Sequence, residues 1–201
     1  MKWIAALLVY LAVALGLFVF RQAWSALLGF HLAILLSLLL AKPKQPIKIL
    51  VTGNRLKWSL LNILVCGSSG ITLYFLWDKF GITSDLSIGV RAMGLNPSSW
   101  PAFILYFSLL NPWIEEYFWR GYLGSETTNF HISDFLYAGF HGLILINKVQ
   151  LSTIAYSLAV LTLAGWFWRQ VAREDNGLLA PILGHMAADF TILMAVYLHM
   201  Q

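Results

Sequence analysis

Residues 100 to 120 read WPAFILYFSLLNPWIEEYFWR, an apolar run that ends in two adjacent carboxylates and an arginine. Trp100 and Trp119 are nineteen residues apart, which on an α-helix is about 28 Å, roughly the distance between the two interfaces of a bilayer. The run therefore predicts a membrane-spanning helix that carries Glu115 and Glu116. An ionised carboxylate in hydrocarbon is costly, so these residues indicate a functional site with water, a shifted protonation state or a buried partner.

The composition of the whole chain agrees with a membrane protein. Of the 201 residues, 59% are hydrophobic and only 11% are charged, and the mean hydropathy is +0.73. These values are typical of a polytopic membrane protein and not of a soluble domain. The single cysteine, Cys66, excludes an internal disulfide framework and a zinc–cysteine cluster.

Apolar runs long enough to cross a bilayer recur along the chain. We predict an all-α fold with about seven transmembrane helices and no soluble domain. The predicted spans lie near residues 3–20, 24–41, 58–77, 100–119, 134–149, 152–169 and 177–199. In the third span, Gly67-Ser68-Ser69-Gly70 is a small-residue patch that favours close helix packing. We expect a short interfacial helix between Asp78 and Ser99.

The basic residues predict the orientation of the chain in the membrane. One side receives nine of them and the other side receives four, namely Arg21, Lys79, Arg91 and Lys148. The nine are Lys2, Lys42, Lys44, Lys48, Arg55, Lys57, Arg120, Arg169 and Arg173. The positive-inside rule makes the side with nine cytoplasmic. Because orientation accounts for the net charge of +4, we expect no nucleic-acid partner.

Away from the ends of the predicted spans, six carboxylate or histidine side chains fall inside them: His31, Glu115, Glu116, His141, His185 and Asp189. Measured from the cytoplasmic ends with the helical rise, Glu115 lies about 8 Å deep, His141 about 10 Å and His185 about 12 Å. Similar depths on three separate helices predict one site among the helices of the C-terminal half. We expect this site to open toward the cytoplasm.

Helical spacing divides these residues into roles. His185 and Asp189 are four residues apart and therefore share a helix face. Glu116 and Arg120 have the same spacing, and we interpret Glu116 as the partner of Arg120. Glu115 lies about 100° away from Glu116 around the helix. Because Glu115 has no obligatory partner, it is the better candidate for catalysis.

Three further polar or helix-breaking residues receive structural interpretations. Pro112 lacks a backbone donor, which predicts a bend in the fourth span three residues before Glu115. His31 is alone in an apolar span, and we interpret it as a packing residue. Asp134 follows Ser133 at the start of the fifth span, which is typical of a helix cap.

Three motifs occur in order on separate spans: Glu115-Glu116-x-x-x-Arg120, Tyr137-x-x-x-His141 and His185-x-x-x-Asp189. Together they resemble the CPBP intramembrane proteases, the CAAX protease and bacteriocin-processing family. The resemblance covers about residues 98 to 200. It divides the chain into N-terminal transmembrane helices with a basic loop, residues 1–97, and a protease core, residues 98–201. Two positions depart from the commonest pattern, because Tyr137 replaces phenylalanine and Asp189 replaces asparagine.

The resemblance implies hydrolysis of a peptide bond in a membrane-associated peptide or protein by a glutamate that activates water, without a cofactor. Carried over to this chain, the resemblance makes Glu115 the general base and gives His141 the role of helping to hold the water. His185 with Asp189 would stabilise the oxyanion. Glu116 and Arg120 would organise the helix end. Some relatives cut after a prenylated cysteine and others occur where no prenylated substrate is known. Prenyl specificity therefore stays open. We expect a multi-pass protein of a bacterial inner membrane, with an organelle membrane as the alternative.

Three alternatives to a metal-free protease remain. Glu115, His141, His185 and Asp189 are acceptable zinc ligands with room for a water, and an ionised Asp189 cannot donate a hydrogen bond to an oxyanion as asparagine can. The site could instead serve binding alone, in a catalytically inert scaffold or bacteriocin-immunity protein. A small transporter or proton relay is the third alternative, although the sequence contains no internal repeat in its favour.

Overall fold

The computed structural model describes residues 2–53 and 55–200. This part of the chain is 78% helical and contains no strand, which confirms the all-α prediction. Its α-helices are α1 Lys2–Ala14, α2 Ala23–Ala41, α3 Leu56–Phe75, α4 Leu86–Ala92, α5 Trp100–Leu109, α6 Asn111–Glu116, α7 Ile132–Leu145, α8 Leu151–Asp175 and α9 Leu179–His199. Leu15–Val19 and Tyr117–Tyr122 extend α1 and α6 as π-helical turns. Ile47–Val51 and Trp77–Lys79 form 3₁₀ turns.

Within the described residues, five helices are long and apolar enough to cross a membrane: α1 with its π-helical extension, α2, α3, α8 and α9. Helix α7 has 14 residues, a length of about 21 Å that is shorter than a hydrocarbon core of about 30 Å. The predicted fourth span is divided between α5 and α6. The protein is therefore an integral membrane protein, whereas the count of seven spans stays a prediction.

The division between α5 and α6 lies where Pro112 predicted a bend. Helix α5 ends at Leu109, and Pro112 occupies the first turn of α6. A proline in a helix interior removes one backbone hydrogen bond, whereas the first turn tolerates it. After Glu116 the chain continues as a π-helical turn. Such turns are rare in proteins, and those that occur are often at functional sites. This short, irregular stretch carries both glutamates.

Helix α9 packs along α3 and also contacts α5, α6 and α8. Glycines make the close approach to α3 feasible. A Cβ atom on Gly70 would collide with the backbone of Thr191, and one on Gly184 would collide with the side chain of Asn62. The prediction of close packing at the small-residue patch is confirmed at Gly70. The packing fixes α9, the helix that carries His185 and Asp189.

The N-terminal helices share a core with the C-terminal half. Val9 of α1 and Ile34 of α2 lie in one buried apolar cluster with Trp119, Phe140 and Trp168. On the outer surface, large apolar side chains are exposed, among them those of Leu40 and Phe75. Such a surface suits contact with lipid rather than water. The predicted short helix between residues 78 and 99 is present as α4.

Candidate active site

The predicted pairing of Glu116 with Arg120 is confirmed. Arg120 Nη1 lies 3.2 Å from Glu116 Oε1, and both side chains are buried. The contact is an ion pair without the alignment of a hydrogen bond, because neither Nη atom of Arg120 has a hydrogen-bond partner. The Cζ atom of Arg120 lies 4.0 Å from the ring centroid of Tyr137 and 5.0 Å from that of Trp168. Two aromatic faces therefore supplement the single carboxylate that balances this cation.

His185 lies between two carboxylates. Its Nδ1 donates a hydrogen bond of 2.8 Å to Glu116 Oε1, and its Nε2 is 3.5 Å from Asp189 Oδ2. The spacing of four residues predicted the second contact, and the first was missed because it joins residues 69 positions apart. The imidazole ring stacks on Trp168 with a centroid distance of 4.7 Å. His185 is thus fixed on both ring nitrogens and on one face.

Glu115 is held by one oxygen only. Asn111 Nδ2 donates a hydrogen bond of 2.8 Å to Glu115 Oε1, while Oε2 is buried without a hydrogen-bond partner. The same Asn111 nitrogen lies 3.4 Å from Asp189 Oδ2. Asn111 therefore bridges Glu115 on α6 and Asp189 on α9. Asn111 was not predicted, although its position one helical turn before Glu115 was a usable signal.

His31 also belongs to this network. Its Nε2 lies 2.9 Å from Asn111 Oδ1, and its Nδ1 lies 3.1 Å from the hydroxyl oxygen of Tyr106. The side chain is buried. The burial agrees with the interpretation of His31 as a packing residue, and the two hydrogen bonds are polar contacts that this interpretation did not include. The general cost of an ionisable side chain inside a membrane was the signal that should have marked it.

His141 lies beside the network and is not hydrogen-bonded into it. Its Nδ1 donates to the backbone carbonyl of Tyr137 at 2.9 Å, so Nε2 of the neutral ring is an acceptor. The ring of Tyr137 has its centroid 5.0 Å from that of His141 and 6.1 Å from that of His185. The structure thus joins Glu115, His185 and Asp189 through hydrogen bonds and close contacts, and it connects His141 to them through an aromatic ring.

Exposure differs across the network. Glu115, Glu116 and His185 are buried, whereas the side chain of Asp189 is 14% exposed. His141 is partly exposed as well. The two partly exposed members mark the side from which a substrate or water could reach the buried carboxylates.

The zinc alternative meets a geometric difficulty in the described residues. There, no three His, Cys, Asp or Glu side chains are grouped so that they could hold one metal ion. Both ring nitrogens of His185 already face carboxylates. A metal ion at this place would need His185 to exchange one of those contacts for a bond to the metal.

A second buried charged cluster lies at the start of α7. Asp134 and His131 form the capping box of α7, which confirms the predicted cap. Arg169 of α8 pairs with both carboxylate oxygens of Asp134, with Nε at 3.0 Å and Nη2 at 2.7 Å. The same guanidinium donates hydrogen bonds to the backbone carbonyls of Ser125, Thr127 and Asn129. We predicted only an orienting charge at Arg169, and the structure makes it an anchor for the loop before α7.

The fold and the site together define a multi-pass membrane protein with a buried cluster of titratable side chains around a broken helix. Residues 97–191 match the family model described as Rce1-like, type II CAAX prenyl endopeptidase. The chain carries an Rce1-like domain of the CPBP family, as its motifs indicated. No curated protein and no solved structure gives a significant match to the chain. The matched region contains all seven motif residues, and it does not include His31.

Proposed function

We propose that the protein is an intramembrane endopeptidase in which Glu115 activates water to hydrolyse a peptide bond of a membrane-associated substrate. The Rce1-like domain supports a peptidase of the membrane. Glu115 Oε1 is held by the neutral amide of Asn111, whereas Glu116 Oε1 is engaged by Arg120 and His185. This difference carries the assignment to Glu115, whose Oε2 atom is buried without a hydrogen-bond partner, as is that of Glu116. A general base needs such an oxygen, aimed at water and not consumed by a structural bond.

The charge balance of the network also supports a base. Three carboxyl groups, those of Glu115, Glu116 and Asp189, face one guanidinium and one imidazole. With His185 protonated, the network still has three negative groups against two positive ones. Uptake of one proton removes this excess charge, which is unfavourable in a medium of low dielectric constant. The network is therefore suited to accept a proton from water.

The proposed reaction conserves all atoms. Glu115 Oε2 takes a proton from water while the water oxygen attacks the scissile carbonyl carbon, and His141 Nε2 accepts a hydrogen bond from the same water. His185, or Asp189 in its protonated form, donates a hydrogen bond to the tetrahedral oxyanion. Glu115 then returns the proton to the leaving amine as the C–N bond breaks. The products are a new carboxyl terminus and a new amino terminus.

The matched family, type II CAAX prenyl endopeptidase, supports a proposal for the substrate class. We propose a peptide or protein segment that is anchored at the membrane, with a prenylated cysteine as the first chemistry to test. We also propose a bacterial inner membrane and a site that opens to the cytoplasm, as the distribution of basic residues predicts.

Membrane proteomics tests the proposal and searches for the substrate together. Peptide products would be compared between cells with the wild-type protein and cells with Glu115→Gln. We expect a set of new termini that disappears in the variant while the protein level stays unchanged. Identical sets of termini in both strains would overturn the proposal and favour an inert scaffold or immunity protein.

Chelation separates the metal-free route from a zinc enzyme. We expect the purified protein to keep its peptidase activity after exhaustive treatment with a chelator. Loss of activity that added Zn²⁺ restores would replace the metal-free mechanism by a metal-assisted one.

A further inference from the structure

We propose that Asn111, oriented by His31, is a positioning residue that aims the Glu115 carboxylate and ties it to Asp189. The inference rests on the proposed function of Glu115. It adds a contribution from α2, a helix outside the matched residues 97–191.

Both polar atoms of the Asn111 side chain, Nδ2 and Oδ1, have hydrogen-bond partners. The side chain is fully buried. Its Nδ2 atom donates to Glu115 Oε1 at 2.8 Å and to Asp189 Oδ2 at 3.4 Å. Its Oδ1 atom lies 2.9 Å from His31 Nε2. An amide nitrogen has two hydrogens. One amide group can therefore donate a hydrogen bond to each of the two carboxyl groups.

The chemistry of these partners fixes the direction of each hydrogen bond. Ionised carboxylates only accept, so the NH₂ group of Asn111 faces Glu115 and Asp189. The Oδ1 atom only accepts, so His31 Nε2 carries the hydrogen. His31 Nδ1 then accepts from the hydroxyl of Tyr106 at 3.1 Å. The result is a directed chain of donors from Tyr106 through His31 and Asn111 to Glu115.

This chain explains which oxygen of Glu115 is left for catalysis. Because Asn111 holds Oε1, the carboxylate cannot rotate freely and Oε2 stays unpartnered. The break before α6 places Asn111 at the first position of that helix, one turn before Glu115. A rotated Asn111 amide would aim Oδ1 at two carboxylates. The repulsion between these oxygens and the hydrogen bond from His31 to Oδ1 together oppose this rotation.

The expected effect of His31→Phe is on turnover rather than on binding. The ring keeps its volume but loses the donor to Asn111, so we expect kcat to fall about tenfold while KM changes by less than about twofold. In His31→Gln the amide N–H can still donate, and we expect kcat within about threefold of the wild type. A purely structural role for His31 would not produce this selective rescue.

The matched control is His199→Phe. His199 donates to the backbone carbonyl of Tyr74 and stacks on Trp77 with a centroid distance of 4.2 Å. It is a hydrogen-bonded, stacked histidine at the far end of α9. We expect this variant to match the wild type in kcat and KM.

The experiment uses the purified full chain and a quenched-fluorescence peptide that ends in a farnesylated cysteine and three further residues. Wild type, Glu115→Gln, His31→Phe, His31→Gln and His199→Phe are compared, with thermal unfolding as the control for folding. If only Glu115→Gln and His31→Phe lose activity, the proposal is supported. If Glu115→Gln is inactive and His31→Phe keeps the wild-type kcat, or His31→Gln is as impaired as His31→Phe, the proposal is overturned and the proposed function stands.

If all variants, including Glu115→Gln, had the same activity as the wild type, the proposed function would be refuted for this peptide. A second measurement, of carboxyl labelling, tests the positioning role of Asn111 and His31 in that case as well. Dicyclohexylcarbodiimide is apolar and reacts with protonated carboxyl groups. The hydrogen bond from Asn111 favours the ionised form of Glu115, so its loss in His31→Phe should raise labelling of Glu115 about threefold by mass spectrometry. Equal labelling in His31→Phe, His199→Phe and wild type would overturn the positioning role.

Discussion

Two buried arginines, Arg169 and Arg120, lie in clusters of opposite character. Arg169 forms a two-point contact with Asp134 and donates to three backbone carbonyls. Arg120 has one ion contact, with Glu116, and two aromatic rings beneath it, while neither of its Nη atoms makes a hydrogen bond. Both guanidinium groups are hidden from solvent. Only the first is fully satisfied.

The difference separates a structural cluster from one suited to chemistry. Most buried polar groups in folded proteins have partners, so each exception requires an explanation. Around Arg120 the exceptions accumulate, because Glu115 Oε2 and Glu116 Oε2 are buried without hydrogen bonds too. Atoms left without protein partners can bind water, substrate or a transferred proton. The Arg169 cluster has no such capacity, and it fixes the loop before α7 instead.

The largest expected effect is on stability, at Arg169. Arg169→Leu leaves Asp134 buried without its cation and removes the donors to three carbonyls, so we expect a loss of about 3–5 kcal/mol in the free energy of unfolding. Thermal or denaturant unfolding in detergent measures it. The matched control is Arg173→Leu, one turn further along α8 at a partly exposed ion pair with Glu174, where a change below about 1 kcal/mol is expected. Equal effects of both variants would remove the distinction between the clusters.

Arg120→Leu should lower kcat more than it lowers stability, the opposite of Arg169→Leu. The Nη atoms of Arg120 make no hydrogen bond, whereas Arg169 also donates to three backbone carbonyls, so we expect a smaller loss of stability than in Arg169→Leu. The loss of a cation next to the reacting groups should lower kcat about 100-fold. Arg120→Lys keeps the charge without the planar group over Tyr137, and an intermediate rate is expected. Unfolding as severe as that of Arg169→Leu, with full activity in the folded fraction, would contradict this assignment.

Asp189 tests how the oxyanion is stabilised. In Asp189→Asn the amide can donate a hydrogen bond, so we expect a rate within about tenfold of the wild type. Asp189→Leu, which removes the polar group, should lose about 100-fold. Complete inactivity of Asp189→Asn would speak against this role and for a metal ligand.

The smallest expected effect is on the pH dependence of stability, at His131. Burial, and then the positive charges of Arg169 and Lys2, lower the pKa of His131 below 6.5 despite the opposing charge of Asp134. Its Nδ1 accepts from the backbone N–H of Ser133 at 3.3 Å. Because the folded state resists protonation, stability is present above pH 6.5 and is lost as the pH falls through and below that value.

Loss of this cap should lower the melting temperature by about 2–4 °C between pH 7.5 and pH 5.5. His131→Asn keeps a capping acceptor without a titrating group, and it should remove this part of the pH dependence. An unchanged pH profile in His131→Asn would show that other groups cause it.

Local spacing made part of the site predictable. The pair Glu116 and Arg120, the shared face of His185 and Asp189, and the cap at Asp134 each depend on residues within one helical turn. Composition and apolar length were sufficient for an all-α membrane protein. The interruption at Leu110 could be anticipated from Pro112. The π-helical turn after Glu116 has no hydropathy signal, so the length of the fourth span could not be predicted from the sequence.

Contacts between distant elements were not predictable in the same way. The hydrogen bond from His31 to Asn111 joins residues 80 positions apart, and the one from His185 to Glu116 joins residues 69 positions apart. Both depend on how α2, α6 and α9 pack, which a single sequence does not specify. Arg169 illustrates the same limit, because its loop anchor requires the packing of α8 against α7.

The most direct test of the contrast between the clusters is a paired measurement on purified Glu115→Gln and Asp134→Asn. We predict that Glu115→Gln loses at least about 1,000-fold in kcat on the farnesylated peptide while its melting temperature stays near that of the wild type. Asp134→Asn, in the satisfied cluster, should unfold at a lower temperature and keep the wild-type kcat per folded molecule. Substantial residual activity in Glu115→Gln would contradict the account.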